Sequence, residues 1–167
     1  MTDGRHVGPS ARVYGVAFRD RKVLLVRASA PHEGGELWWL PGGGVDWGES
    51  VETALIREFE EETSLAIHDR LLCTISDDTR TRPNGDLVHT LRIVYLVTVQ
   101  PGEIRHEADG STDWAEWVDL ADLATRRLAP YAHDAIELAL DQLAEDSPVA
   151  QETSSTIDRI RRVAGVN

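Results

Sequence analysis

Apolar residues along this chain come in short bursts whose spacing changes from a strand period to a helix period twice. "RVYGVAFR" (12–19) and "KVLLVRA" (22–28) are rich in Val and Leu and are separated by Asp20-Arg21, which predicts a hairpin although its turn lacks glycine. "LWWL" (37–40) reads as a short buried strand, which Pro41 and three glycines then break. "AIHDRLLCTIS" (66–76) and "LVHTLRIVYLVTVQ" (87–100) are strand-rich, with Pro83-Asn84-Gly85-Asp86 as the turn between them. Alternation in the second of these is imperfect, which predicts burial on both faces along part of its length. "WAEWVDL" (114–120) predicts one more short strand, and "DLATRRL" a helical turn.

The helical period dominates from Val51 to about Ser64, with Ser50 placed as N-cap. It returns in "PYAHDAIELALDQLAED" (130–146), where Pro130 opens the helix and Ala132, Ile136, Leu140 and Leu143 share one stripe. Residues 1–10 read as a loose arm, 11–146 as one domain, and 147–167 as a linker and short tail. A mixed sheet with one early and one late helix is an α+β arrangement.

The 167 residues are enough for a single domain with a real core. The charge narrows the function. Seventeen Lys and Arg against 29 Asp and Glu leave −12, which argues against general nucleic-acid binding. A small phosphorylated ligand stays open, because bound cations can invert a local field. Cys73 is alone, so no internal disulfide or cysteine metal cluster can form. The first residues lack the apolar core of a signal peptide, and the longest apolar stretch, 93–99, is interrupted and too short to span a bilayer. A soluble cytoplasmic protein without membrane partners is expected.

The early helix holds the chemistry. With Val51 as angular origin and about 100° per residue, Ala54, Leu55 and Phe59 form the inward face. Glu58, Glu62 and Glu61 fall at about −20°, +20° and −80°, continuing that face. Like charges at i,i+4 destabilise a helix by roughly 0.2–0.5 kcal/mol, and buried unpaired carboxylates cost far more. Arg57, at about 240°, is placed to brace one glutamate but not three. A hard divalent cation with oxygen ligands fits the remaining charge, and Mg²⁺ commonly joins carboxylates to phosphate oxygens; the alternative is a solvated face of good helix formers. The preceding "PGGG" can bring backbone close to such a ligand.

The spacing is specific: Gly43, five residues, Glu49, seven residues, Arg57-Glu58, Phe59, one residue, Glu61-Glu62, one residue, Ser64, Leu65. This resembles the signature box of the Nudix (MutT-like) hydrolases, with Ser64 where the family has glycine. "LWWLPGG" and "AEWVDL" also look like its flanking segments. The resemblance implies a mixed β-sheet sandwiched between helices (α/β/α). It implies a metal-dependent hydrolase that cleaves the pyrophosphate bond of a nucleoside diphosphate linked to another moiety. Carried over by position, Glu58, Glu61, Glu62 and the carbonyl of Gly42 would hold Mg²⁺ or Mn²⁺. Arg57, grouped with the catalytic residues, and Glu49 would brace helix and loop.

The proton acceptor would be Glu61 or, from the loop "RHEADGSTDWAEW", Glu107, with Asp109 and Asp113 nearby in sequence. Arg27, Arg82, Trp39 and Asp113 are the substrate-binding candidates, with Arg80 and Arg92 as further phosphate or ribose partners. Of Trp38 and Trp39, strand alternation sends one inward and one outward. The expected partner is a small nucleoside diphosphate derivative, and a homodimer stays open. The alternative reading is a Nudix-like module that senses a nucleotide without cleaving it. Six scattered histidines show no i,i+4 pair, and the Walker A, G-x-G-x-x-G and G-x-S-x-G patterns are absent, which removes zinc-protease, P-loop, Rossmann and serine-nucleophile chemistry.

Overall fold

The computed structural model describes residues 6–29, 35–82, 84–105 and 111–144. Seven strands, two α-helices and one 3₁₀ helix form three layers. The strands are β1 (His6–Arg19), β2 (Lys22–Ala28), β3 (Trp38–Trp39), β4 (Gly42–Gly44), β5 (Ile67–Thr81), β6 (Leu87–Val99) and β7 (Thr112–Asp119). Helix α1 spans Val51–Thr63 and α2 Pro130–Leu143, with the 3₁₀ helix at Leu120–Thr125. The central order is β3-β2-β1-β6-β5, with β4 paired to β1 and β7 to β2. The β1/β6 pair is parallel, and the remaining pairs are antiparallel. This is the expected mixed sheet between helices.

Strand β1 organises the molecule because its side chains alternate between the two helices. Val13 and Ala17 pack with Leu24, Ala54, Leu55 and Phe59 on the α1 side. Tyr14, Val16 and Phe18 pack with Leu25, Ala132, Ile136 and Leu143 on the α2 side. The first half of β6 alternates between buried and more exposed positions, whereas Leu96 to Val99 are all buried, as the broken alternation predicts. The β1–β2 turn forms without glycine because Asp20 and Arg21 both take positive φ, 49° and 61°, the twist a two-residue hairpin requires.

Two expectations are corrected. Residues 6–10 are not part of a loose arm: they begin β1, paired in parallel with Leu87–Thr90. Strand β5 runs five residues beyond Ser76 through polar sequence, because β6 supplies an unbroken pairing edge as far as Thr81↔Leu87. In both cases main-chain pairing with a distant partner outweighs local propensity. The break after "LWWL" holds, since β3 ends at Trp39, but the glycines beyond it form a strand of their own, hydrogen-bonded to Arg12–Tyr14.

Candidate active site

Helix α1 starts where the sequence places it. Ser50 caps it by accepting a hydrogen bond from the Thr53 amide at 3.1 Å. It ends on Ser64, which adopts the left-handed conformation (φ 58°) that glycine usually supplies, and the Ser64 amide donates to the Glu60 carbonyl at 2.7 Å. Ala54, Leu55 and Phe59 are fully buried, so the apolar face fixes the rotation of the helix and delivers its glutamates to the glycine strand.

The three glutamates meet different surroundings. Glu62 is 2% exposed, and its Oε2 accepts a 2.8 Å hydrogen bond from the Gly42 amide. Gly42 has φ 140°, and a side chain there would strike the Val13 carbonyl. The carboxylate of Glu58 lies directly against Gly43, so closely that even a Cβ at that position would collide with it. Glu61 is not inward as the helical wheel suggested: it is 51% exposed, at the rim. At −80° it sits where the buried arc gives way to solvent.

Arg57 reaches further than its wheel position implied. Its Nε and Nη2 donate to the two oxygens of Glu49 at 3.0 and 2.9 Å. Nη1 donates to Glu58 at 2.9 Å and to Glu61 at 3.2 Å, and Nη2 also reaches the Gly44 carbonyl at 3.2 Å. The expected limit of one glutamate is therefore wrong, because a planar fork on a long stem serves several acceptors at once. The Arg57 hydrogen bond holds the Glu49 carboxyl below its ordinary range, and the same network raises Arg57. Arg57 thus ties the β4–α1 loop to the helix.

Among the described residues, no three His, Cys, Asp or Glu side chains converge as a ready ion cage. The donors nonetheless fit a hard cation. They are all oxygens, and the backbone at Gly43 has no side chain where the Glu58 carboxylate rests.

Beyond β4, on the α2 side of the sheet, a cleft of 370 Å³ opens. Its walls include Tyr14, Trp39 and Tyr131, with Arg12, Arg80 and Arg92 among them. The Tyr14 and Tyr131 rings stand 4.7 Å apart. Burial, then the neighbouring Tyr14, raises the Tyr131 hydroxyl well above the ordinary tyrosine range, so it stays protonated. Burial works against the charge of Arg92, but its 2.8 Å bond to Asp78, the charge of Asp78 and the nearby Tyr14 and Tyr131 together raise it and keep it ionised.

The sequence candidates divide accordingly. Trp38 is buried and Trp39 faces the cleft. Arg80 and Arg92 line it as well. Arg27 and Asp113 are brought together, but with each other: Arg27 donates to Asp113 at 2.8 and 3.1 Å and to Glu36 at 2.7 Å. Arg82 sits in the β5–β6 turn, its amide donating to the Asp86 carbonyl at 2.8 Å, and does not line the cleft. Glu107, Asp109 and Pro83 lie outside the described residues. Arg12, Tyr14 and Tyr131 were missed. Each looks like an ordinary strand or helix residue, and only the parallel β1/β6 pairing and the docking of α2 bring them together. Cys73, whose thiol burial pushes up to about 11, is unreactive packing.

Comparisons with known proteins bear on the family and the fold. A NUDIX domain family model matches residues 8–139. An ADP-ribose pyrophosphatase of Methanocaldococcus jannaschii is 34% identical over 119 residues, 71% of this chain. The chain spans 66% of that relative's own length, just under two thirds. The crystal structure of a MutT NUDIX hydrolase from Burkholderia pseudomallei is 32% identical, with a TM-score of 0.67 over 79% of this chain and 98% of that one. The NUDIX domain of Shewanella oneidensis NrtR, solved in complex with ADP ribose, is 26% identical, with a TM-score of 0.69 over 83% of this chain and 90% of that one.

Proposed function

Because this chain belongs to the Nudix hydrolase family, we propose that it hydrolyses the pyrophosphate bond of a nucleoside diphosphate linked to another moiety. The observation that carries the reading is the packing of Glu58 and Glu62 onto the side-chain-free strand Gly42–Gly44, with Arg57 locking that strand to the helix. Glu58, Glu61, Glu62 and the Gly42 carbonyl would hold Mg²⁺ or Mn²⁺. When bound, the ion supplies Lewis-acid polarisation of phosphoryl oxygens and a lowered pKa for water.

The residues of the chain do the positioning. The Gly42 amide orients the Glu62 carboxylate, and Arg57 fixes Glu58 and Glu61 while Glu49 fixes Arg57. Glu61 at the rim, or Glu107, takes the proton of the attacking water. The nucleoside part fits the cleft, whose volume lies within the range of small-molecule sites and whose aromatic walls suit a flat base. An ADP-ribose-type substrate is consistent with the archaeal relative and with the NrtR complex. Arg27 and Asp113, paired at the end of β2, would shape the entrance rather than touch the diphosphate.

The test is a panel of NTPs, ADP-ribose, nucleotide sugars and dinucleoside polyphosphates with Mg²⁺ or Mn²⁺. Turnover that disappears in Glu61→Gln and Glu62→Gln supports the proposal. Tight binding without turnover across the panel would identify a sensing module instead.

A further inference from the structure

The cleft beside β4 is electrostatically at odds with the rest of the molecule. The chain carries −12, yet three arginines, Arg12, Arg80 and Arg92, line this cavity against a single carboxylate, Asp78. Only Arg92 uses that carboxylate, at 2.8 Å. Among the described residues neither Arg12 nor Arg80 forms an ion pair, and the guanidinium of Arg12 stands over the face of Tyr14, at 5.9 Å, and close enough to Tyr131 to act on its charge.

Two buried polar atoms on the cavity residues make no hydrogen bond among the described residues: Arg12 Nε and Arg92 Nε. Both can donate, and native proteins leave few such atoms. The Tyr131 hydroxyl interacts with Tyr14. The start of α2 adds to the same field. Ala129, Pro130 and Tyr131 line the cleft, no side chain caps the helix, and its first turn holds no acidic residue.

With three arginines against one carboxylate, the cleft carries an excess of positive charge suited to an anionic group. The carboxylates proposed to act on the bridging diphosphate lie on the other side of β4. Val13 faces α1 and the carboxylates, whereas Tyr14 faces α2 and the cleft. Strand β4 lies between, touching Glu58 and Glu62 through Gly43 and Gly42 while pairing with Arg12–Tyr14. The aromatic pair Tyr14 and Tyr131 calls for a flat group at the same place. Building on the assignment of this site to nucleoside diphosphate derivatives, we propose that the moiety entering the cleft is a nucleoside bearing its own phosphate monoester, held by Arg12 and Arg92.

Matched pairs test this. With the full chain and Mg²⁺ or Mn²⁺, NADPH is compared with NADH, and coenzyme A with dephospho-coenzyme A. A further pair, diadenosine tetraphosphate and diadenosine diphosphate, adds phosphate to the chain instead of the ribose. A ribose phosphate that replaces water at two guanidiniums should raise kcat/KM by roughly tenfold or more. That ratio should collapse towards one in Arg12→Gln and fall in Arg92→Lys, each checked for folding by thermal melting.

Calorimetric titration with adenosine 2′,5′-bisphosphate against AMP, without metal, reads the cleft even if no pair is turned over. Roughly tenfold tighter binding of the bisphosphate upholds the inference while leaving the hydrolase assignment to fail by itself. Equal use and equal binding of pair members would overturn it. So would a preference that the arginine variants leave unmoved, or one confined to the longer polyphosphate.

Discussion

The two faces beside strand β4 manage charge in opposite ways. On the α1 face the carboxylates outnumber the cations, but Arg57 spans Glu49, Glu58 and Glu61 and leaves a tightly cross-linked network. On the α2 face the arginines outnumber the carboxylates, and donors stand without acceptors. The first face is a local construction, made by residues within one loop and one helix. The second is assembled from β1, β3, β5, β6 and α2. On the proposed function, the contrast would separate a part that serves any diphosphate from a part that selects what the diphosphate carries.

The largest expected effect comes from removing charge where the helix meets the glycines. Glu62→Gln keeps the shape and the acceptor for the Gly42 amide but would remove a proposed cation ligand. Its kcat/KM should fall by at least about 100-fold with an unchanged melting temperature. A drop below tenfold would detach Glu62 from the chemistry.

Next comes the lock itself. Arg57→Ala leaves Glu49 and Glu58 close together without their shared cation, and should destabilise the protein by about 2 kcal/mol. For a chain of this size that lowers Tm by roughly 4–8 °C. An unaltered melting curve would mean that the network contributes nothing to folding.

A smaller effect lies in pH. The folded carboxyl of Glu49 titrates below its unfolded value because Arg57 donates to it. The unfolded chain therefore binds the extra proton first, and stability rises with pH through that window. The Arg57–Glu49 contribution is complete above the ordinary glutamate range and is lost as pH falls through the lowered value. Denaturant melts from pH 6 down to pH 3 should show this slope in wild type and a shallower one in Glu49→Gln.

The smallest effect tests the helix exit. Ser64→Gly relieves a left-handed residue and should stabilise by about 0.5 kcal/mol in chemical denaturation, without altering kcat. Destabilisation would show that the serine holds the turn for another reason.

What could be read from the sequence follows the same division. Ser50, the spacing of Val51, Ala54, Leu55 and Phe59, and the run of glutamates lie within fifteen residues, so a helical wheel recovers the α1 face. The wheel erred on Arg57 and Glu61, because it tracks the direction of Cα–Cβ bonds and not the reach of a long side chain. The other face escaped for a different reason. Arg12 and Arg92 are neighbours only through a parallel pairing that closes about 80 residues of chain, and nothing near either residue signals the other. The glycine strand shows the same limit. Local preference reads three glycines as a break, and the hydrogen bonds that make them a strand come from Arg12–Tyr14.

The alternation of β1 couples these two faces. A single residue inserted between Arg12 and Val13 would exchange the helices that Val13 and Tyr14 face, and both sides of the strand would lose their alignment with β4 through one mutation. New substrate preferences should therefore arise by exchanging side chains at fixed positions in this strand, while its length stays frozen.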